Sequence, residues 1–259
     1  RLYKQDNRTP FMQNLKDKIK NEDKQFEIIE DSVEYFNKNK FLNSWQEGKI
    51  TALDYLLLVN KFSNRSYNDI TQYLVFPWIL TDFNDIYNSK NHRNMSYLMP
   101  AQSQEGIQNI IQLYEEKIDD ELKYYFPTVY SNSMYVNNYL IRLYPFINNQ
   151  IKIQGGRFDE PSRQINSPQE LCNYFKSSYD SVIELIPEFY LLPELFLNLN
   201  YCFYGNEKKG DKYSLVNNMN LGKSFKSILE FINFHETTLN SDLFNFEINK
   251  WIDMIFGNR

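Results

Sequence analysis

The run of apolar residues from Tyr73 to Leu80 constrains the fold more than any other stretch of this chain. The eight residues are nearly all large and apolar, yet Pro77 lies among them. Proline has no backbone N–H, disfavours helical backbone at Phe76 and does not fit the ladder of a central strand. The run therefore predicts a buried, extended segment whose backbone groups are satisfied by side chains. Polar residues close enough in sequence to do this are Arg65, Asn68, Asp69 and Gln72.

Amphipathic patterns elsewhere predict helices. Thr51 and Asp54 have the types and spacing of a helix cap, and an apolar pattern follows them as far as Phe62. The residues from Ser167 to Glu170 form a capping box with a proline at the first helical position, which predicts a helix through Tyr179. Further helices are predicted from Thr9-Pro10, for the pattern Phe26, Ile29, Val33 and Phe36, over 103–126, from a cap at Ser131 to Pro145, around Phe225 to Ile232, and from Ser241 to Phe256. A short strand is predicted at 150–154 and loops at 84–102 and 198–222.

Composition restricts the class of protein. The 259 residues have the length of one large domain, or of a domain with a short extension. The net charge of −5 and the pI of about 5.3 argue against a nucleic-acid partner. Cys172 and Cys202 are isolated, which fits a reduced chain, and the longest apolar run is too short to span a bilayer. Because the chain starts at Arg1 rather than at Met, we expect it to be part of a longer protein.

A metal site and a catalytic histidine are both disfavoured. His92 and His235 are the only histidines, and Leu239 stands where a zinc-protease helix would need its second histidine. Zinc needs three or four converging ligands, so we expect His235 to be a helix-surface residue.

A phosphate-binding loop is weakly suggested by Gly222-Lys223-Ser224. The first glycine of such a motif would fall on Asn217, which cannot replace glycine cheaply in a loop that wraps a phosphate. A helix that starts at Ser224 accounts for the same glycine, lysine and serine, and we favour this interpretation over nucleotide binding.

Two further groups of charged residues have a functional and a structural interpretation. Arg157, after the glycine pair Gly155-Gly156, suits an anion site. The alternative, which we favour, is that Asp159 forms a buried ion pair with Arg157 or Arg163 and so pins the loop. The acidic residues Glu184, Glu188 and Glu194 flank two prolines in an apolar frame. We expect them to act as caps and as partners of the backbone rather than as paired catalytic acids.

Several ordered blocks, covering about residues 41 to 257, together resemble the BEACH family that includes neurobeachin and the lysosomal-trafficking regulators. The blocks are WQEGKI at 45–50, RSYND with QYLVFPWIL at 65–80, YLIRLYPF at 139–146, QGGRFDEPSR at 154–163, ELIPEFYLLPE at 184–194 and WIDMIFG at 251–257. The chain departs from the family pattern at residues 84–102 and 198–240. Partner contacts made by those two regions are therefore in doubt.

The resemblance implies a fold, a domain plan and a function. The fold is mainly α, a multihelical BEACH-type domain with several buried extended segments and little regular sheet. In this plan the BEACH domain covers residues 38–257, and a linker begins at 258–259. A helical extension covers residues 1–37, and its part 10–20 is interpreted as the last helix of a preceding PH-like domain. The implied function is a non-enzymatic interaction scaffold in a large cytosolic protein of vesicle, lysosome and autophagy traffic, peripherally associated with membranes.

The resemblance also implies partners. A PH-like domain before and a WD-repeat propeller after are the expected neighbours, with trafficking proteins bound in a groove and no cofactor. A peripheral lipid-binding module is the main alternative, and a nucleotide-binding enzyme the remote one. Trp45, Arg65 and Tyr67 are the candidate interface residues, because Trp, Tyr and Arg dominate interfaces. The family's structural signature falls on Asn68, Asp69, Phe76, Pro77, Trp78, Gly155, Gly156, Arg157, Asp159, Pro187, Glu188, Pro193, Trp251, Asp253, Phe256 and Gly257.

Overall fold

The computed structural model describes residues 5–19, 29, 31–116, 123–126, 129–158, 164–178, 181–209 and 212–257. The chain divides into two compact units, Arg1–Leu42 and Asn43–Arg259. The first unit contains helix α1 (Gln5–Ile19) and helix α2 (Ser32–Lys38), and α3 (Phe41–Gln46) begins within it. Pro10 lies inside α1, so the predicted helix start at Thr9-Pro10 is wrong.

The second unit is built mainly from helices. These are α4 (Ala52–Phe62), α5 (Gln104–Glu116), α6 (Ser133–Tyr139), α7 (Phe146–Ile153), α8 (Pro168–Ser177), α9 (Glu188–Leu191), α10 (Ile228–Leu239) and α11 (Asp242–Ile255). Short 3-10 turns occur at Ser89–Asn91, Met99–Gln102 and Pro193–Phe196. Among the described residues, the only sheet is an antiparallel hairpin of β1 (Asn206–Lys209) and β2 (Lys212–Leu215). The predicted mainly α fold with little regular sheet is therefore confirmed.

Three helix starts were predicted correctly, at Thr51, Ser167 and Ser241, whereas the cap of α6 is Asn132 and not Ser131 as predicted. Thr51 Oγ1 accepts from the Asp54 N–H at 3.1 Å, and the Asp54 carboxylate accepts from the Thr51 N–H at 3.3 Å, which completes the capping box of α4. The Ser167 hydroxyl accepts from Glu170 N–H at the start of α8, and Ser241 caps α11 in the same way. Each cap satisfies a backbone donor that has no partner within its helix.

Helix extents and one strand were predicted less well. The segment 150–154, predicted as a strand, lies mostly in α7, because Ile147 and Ile151 pack inward at helical spacing. The helix predicted over 103–126 is shorter, since the described part of α5 ends at Glu116 and 123–126 are not helical. The predicted loop 198–222 contains the hairpin.

The main core surrounds the segment Tyr73–Leu80, in which every residue is buried. Trp78 and Trp251 are completely buried, and Trp78 packs edge-on against Phe83 and Phe175 at 6.4 and 6.0 Å between ring centroids. The prediction that this segment is buried and extended is confirmed, because it forms no helix and only single bridges at Phe76 and Leu80.

A close approach of three chain segments fixes one face of this core. A Cβ atom on Gly106 of α5 would lie 2.0 Å from the Pro100 carbonyl oxygen and 2.2 Å from that of Lys176 in α8. Glycine is therefore required here by backbone proximity rather than by its own dihedral angles. The pattern of the sequence alone gave no indication of this contact.

Candidate functional site

The backbone of the segment Tyr73–Leu80 is held largely by side chains. Asn60, which is fully buried at the end of α4, donates from Nδ2 to the Val75 carbonyl at 2.9 Å and accepts the Val75 N–H on Oδ1 at 2.8 Å. Arg65 Nη1 donates to the Tyr73 carbonyl at 2.9 Å. The role predicted for Arg65 is thus confirmed, whereas the larger contribution of Asn60 was missed.

A buried ion pair continues this support. The Arg93 guanidinium donates to both oxygens of Glu184, at 2.7 and 2.8 Å, and both side chains are completely buried. Glu184 Oε2 also accepts from the Trp78 N–H at 3.3 Å. The prediction that Glu184 serves the backbone is confirmed, and its pairing with Arg93 is an additional finding. A bidentate pair of this kind satisfies the desolvated charges on both sides.

The proline carbonyl within the segment is also satisfied. The Tyr190 hydroxyl donates to the Pro77 carbonyl at 2.5 Å, and the Phe76 N–H donates to the Leu185 carbonyl at 2.8 Å. These contacts place residues 183–190 directly against the segment. The signature residues in this region therefore form an internal frame, and a partner would have to contact a different surface.

Four residues at one side of this buried region extend to the surface, and we call them the Tyr67 cluster: Arg65, Tyr67, Tyr73 and Glu188. The Tyr67 ring, about half exposed, packs edge-on against Tyr73 at 5.8 Å between centroids. The Tyr73 hydroxyl donates to Glu188 Oε1 at 2.5 Å. Arg65 joins the cluster because its guanidinium donates to the Tyr73 carbonyl.

The Tyr67 cluster contains a buried carboxylate oxygen that no hydrogen bond satisfies. Glu188 Oε2 is buried without a hydrogen-bond partner, and burial raises the pKa of Glu188 although the bond from Tyr73 opposes this. Burial, together with the charge of Glu188, raises the pKa of Tyr67 to about 12 and also raises that of Tyr73. Burial also lowers the pKa of Arg65. A partly desolvated carboxylate beside an exposed aromatic ring is suited to receiving a cation from a partner.

Trp45 belongs to a different part of the surface. Its ring stacks on Tyr55 of α4 at 4.6 Å between centroids with an interplanar angle of 5°. Tyr55 lies near the start of α4, and Arg65 follows its end, so about 10 Å of helix separates the two positions. Of the three candidate interface residues, the structure brings Arg65 and Tyr67 together and leaves Trp45 apart.

The signature residues fall into buried and exposed sets. Buried positions are Phe76, Pro77, Trp78, Pro187 and Trp251; half-buried ones are Asp69, Glu188, Pro193 and Phe256; exposed ones are Asn68, Gly155, Gly156, Arg157, Asp253 and Gly257. Since Arg157 is exposed, the expectation of a buried ion pair at that residue is wrong. Asp159 and Arg163 lie outside the described residues. At Gly257, a Cβ would lie 2.2 Å from the Asp253 carbonyl oxygen, which explains the glycine after α11.

His235 is buried, so its assignment as a helix-surface residue is wrong. Its Nδ1 lies 2.8 Å from the Phe231 carbonyl oxygen and therefore carries the proton, while its Nε2 has no hydrogen-bond partner. The ring stacks on Phe231 at 4.1 Å, and burial lowers the pKa of His235 to about 4. Its spacing of four residues from Phe231 and Leu239, both core residues, is the sequence signal that was overlooked.

The glycine-lysine-serine motif does not have P-loop geometry. Helix α10 begins at Ile228 with Ser227 as its cap, so the helix start favoured at Ser224 is also wrong. The Ser224 hydroxyl instead donates to the Asn84 carbonyl at 2.6 Å. In the part of the chain that the structure describes, no group of three or more His, Cys, Asp or Glu side chains is arranged to hold a metal ion. No described helix is long and apolar enough to cross a bilayer.

The fold and its internal frame define the class of protein: a mainly α domain organised around one buried extended segment. The family model of the Beige/BEACH domain matches residues 43–259. This chain therefore belongs to the Beige/BEACH domain family.

Relatives agree with this membership. The chain is 37% identical over 226 residues to BEACH domain-containing protein A2 of Arabidopsis thaliana, a match that covers 85% of this chain and 6% of that protein. It is 34% identical over 222 residues to Beige protein homolog 1 of Saccharomyces cerevisiae, with 82% and 10% covered. It is 32% identical over 227 residues to a putative neurobeachin homolog of Caenorhabditis elegans, with 86% and 9% covered. The chain thus spans a tenth or less of the length of these relatives.

Proposed function

We propose that this domain is a non-enzymatic scaffold module of a large cytosolic trafficking protein, and that it packs against a preceding PH-like domain through the Tyr67 cluster. The observation that carries the proposal is the unpartnered Glu188 Oε2 beside the exposed Tyr67 ring. The buried signature residues next to the cluster are used internally and Arg65 is bonded to the Tyr73 carbonyl, so the half-exposed Tyr67 ring is the main contact surface that the cluster offers to a partner.

The chemistry of the cluster specifies what the PH-like domain must present. An Arg or Lys side chain laid over the Tyr67 ring would approach the Glu188 carboxylate and form a charge-assisted contact. Such a cation would favour the ionised form of Glu188, whose pKa is raised in the domain alone. Trp45 adds contact area only if the interface extends about 10 Å along α4.

The large size of the relatives supports a module within a longer chain. We propose a PH-like domain before residue 1 and a WD-repeat propeller after residue 259, with trafficking partners bound along the groove between the PH-like and BEACH domains. The assignment of residues 1–37 as an extension, 38–257 as the domain and 258–259 as linker stays part of this proposal. Association with vesicle or lysosome membranes follows from the same role.

The test is binding in trans. The 259-residue chain would be titrated calorimetrically with the PH-like domain taken from the sequence preceding residue 1 of the parent protein. We expect Tyr67→Ala to weaken binding at least tenfold, while Tyr97→Ala, which removes a similarly exposed ring elsewhere, leaves it unchanged. Absence of a PH-like domain in the parent, or equal effects of the two variants, would refute the proposal.

The nucleotide-binding alternative is tested separately by thermal denaturation with ATP and Mg²⁺. A nucleotide at 100 times its Kd would stabilise the fold by about 2.7 kcal/mol. Since the Gly222 segment lacks P-loop geometry, we expect no shift at millimolar nucleotide.

A further inference from the structure

A second, smaller core lies apart from the main one. It consists of Ile141, Ile147, Tyr204 and Val216, and it joins the segment 141–158 to the segment 199–217. Phe158 packs on it through a ring contact with Tyr204 at 5.2 Å between centroids. The two segments therefore form one end of the domain, here called the satellite end.

The satellite end exposes large apolar side chains that its own core does not need. Along the stretch 199–203, here called the aromatic loop, alternate side chains point outward: Leu199 is 54% exposed, Tyr201 93% and Phe203 65%. Tyr144, in contact with Cys202, is also largely exposed. Clustered exposed rings mark a surface that contacts something other than water.

Side-chain hydrogen bonds support the aromatic loop in this conformation. The Asn198 side chain accepts from the Cys202 N–H at 3.0 Å and donates to the Cys202 carbonyl at 2.8 Å. Asn200 Nδ2 donates to the Arg142 carbonyl at 2.8 Å. Tyr201 adopts a φ of +51°, a left-handed conformation that is costly for a bulky residue. Hydrogen bonds on both sides thus hold a strained backbone that presents the Tyr201 ring to solvent.

The charge of the satellite end is opposite to that of the chain. Residues 141–158 and 199–217 contain six basic and two acidic residues, a formal net charge of +4, whereas the whole chain carries −5; one of the six basic residues, Arg142, is buried. Three of the basic residues, Lys208, Lys209 and Lys212, occur at the end of the hairpin that follows the aromatic loop, where Lys209 pairs with Lys212 across the strands. Lys152 and Arg157 are exposed at the end of α7 and just after it.

We propose that the satellite end is a docking surface for an anionic membrane. Tyr201 and Phe203 would lie at the boundary between headgroups and acyl chains, where amphipathic and aromatic rings are favoured. Lys152 and Arg157, which are exposed, would face the lipid phosphates, each contributing attraction that falls off within a Debye length, and the three lysines of the hairpin add to the positive charge of this end. The combination of positive charge with exposed amphipathic and aromatic rings favours a lipid surface, because an anionic bilayer offers phosphates for the basic groups and an apolar boundary for the rings. This inference is independent of the scaffold role, which uses the Tyr67 cluster.

The experiment is co-sedimentation of the 259-residue chain with vesicles of phosphatidylcholine alone or with 30% phosphatidylserine. We expect binding to the phosphatidylserine vesicles only, decreasing as salt is raised. The double variant Tyr201→Asn/Phe203→Ser should bind at least tenfold more weakly, and asparagine tolerates the left-handed backbone at that position. Lys208→Glu/Lys209→Glu should have a similar effect.

Matched controls separate this surface from general hydrophobicity. Leu243→Ser/Phe246→Ser removes two side chains of α11 that are 68% and 78% exposed, and it should bind vesicles like the wild type. A Tyr201→Trp variant should show a blue-shifted emission and quenching by brominated lipid on binding. The proposal is overturned if the wild type does not sediment with phosphatidylserine vesicles at low salt, or if the control variant loses as much vesicle binding as the Tyr201/Phe203 variant. It is also overturned if the loop captures a protein partner and shows no vesicle binding. Binding of the PH-like domain should be unaffected by either lipid-site variant.

Discussion

The buried ion pair between Arg93 and Glu184 gives the sharpest test of how the extended segment is held. Both side chains are completely buried, and the guanidinium meets both carboxylate oxygens. Removing one partner leaves an uncompensated buried charge, which costs about 3–5 kcal/mol. For Arg93→Met, the carboxylate left behind still accepts from the Trp78 N–H but has lost its cation. We therefore expect Arg93→Met to destabilise the domain by about 4 kcal/mol.

Urea denaturation of the 259-residue chain measures this loss. With an m-value of about 3 kcal/mol/M, a loss of 3–5 kcal/mol lowers the midpoint by about 1 to 1.7 M. Glu184→Gln alone should cost a comparable amount, because it leaves the guanidinium unpaired. The double variant Arg93→Met/Glu184→Gln should recover a substantial part of the loss, since no charge then remains buried.

The control is the half-exposed surface pair formed by Lys250 and Glu247 on α11. Lys250→Met should change the free energy of unfolding by no more than about 0.5 kcal/mol, as is usual for surface pairs. The reasoning is refuted if Arg93→Met costs no more than this control. It is equally refuted if the two core substitutions add within about 0.5 kcal/mol in the double variant.

Three further predictions concern the same core and are measured by the same denaturation. Asn60→Leu should cost about 2–6 kcal/mol, because it leaves the N–H and the C=O of Val75 buried and unsatisfied. Gly106→Ala should destabilise by about 1–3 kcal/mol, since the added Cβ meets two backbone carbonyls; a stabilised variant, as helix propensity alone would give, contradicts this. His235 has a pKa near 6.5 in the unfolded chain and about 4 in the folded one, so its contribution is complete above pH 6.5 and falls by about 3 kcal/mol as the pH drops to 4. A His235→Gln variant should lack that part of the pH dependence, and an unchanged pH profile would contradict the assignment.

Local features of the fold could be predicted wherever a short pattern has one physical meaning. The capping residues Thr51 and Ser167 each have a side chain that satisfies an orphan N–H at a helix start, and both were identified correctly. Pro77 within an apolar run excluded both a helix and a central strand, which left a buried extended segment. These inferences need only neighbouring residues.

Features that depend on distant residues could not be predicted in this way. The buried Gln150 side chain is satisfied by Asn137 of α6, which donates to it at 2.7 Å. The alternating pattern around 150–154 does not reveal that partner. The pairing of Arg93 with Glu184 joins residues 91 positions apart. The Tyr67 cluster shows the same limit: Tyr67 was a candidate, but Glu188, which gives it an electrostatic role, is far away in sequence.

The long separation in sequence between the extended segment and its hydrogen-bond partners has a consequence for folding during synthesis. Glu184 and Tyr190, which bind the Trp78 N–H and the Pro77 carbonyl, follow those residues by 106 and 113 positions. At a translation rate of about 5–20 residues per second, roughly 5 to 20 s pass between emergence of the apolar run and emergence of its partners. Throughout that interval the nascent chain carries eight apolar residues with open backbone donors and acceptors, and such exposed apolar surface is prone to aggregation even though Pro77 opposes a regular strand ladder. We expect ribosome-bound chains that end before Ile183 to be held by chaperones, and recombinant fragments with that end point to be insoluble.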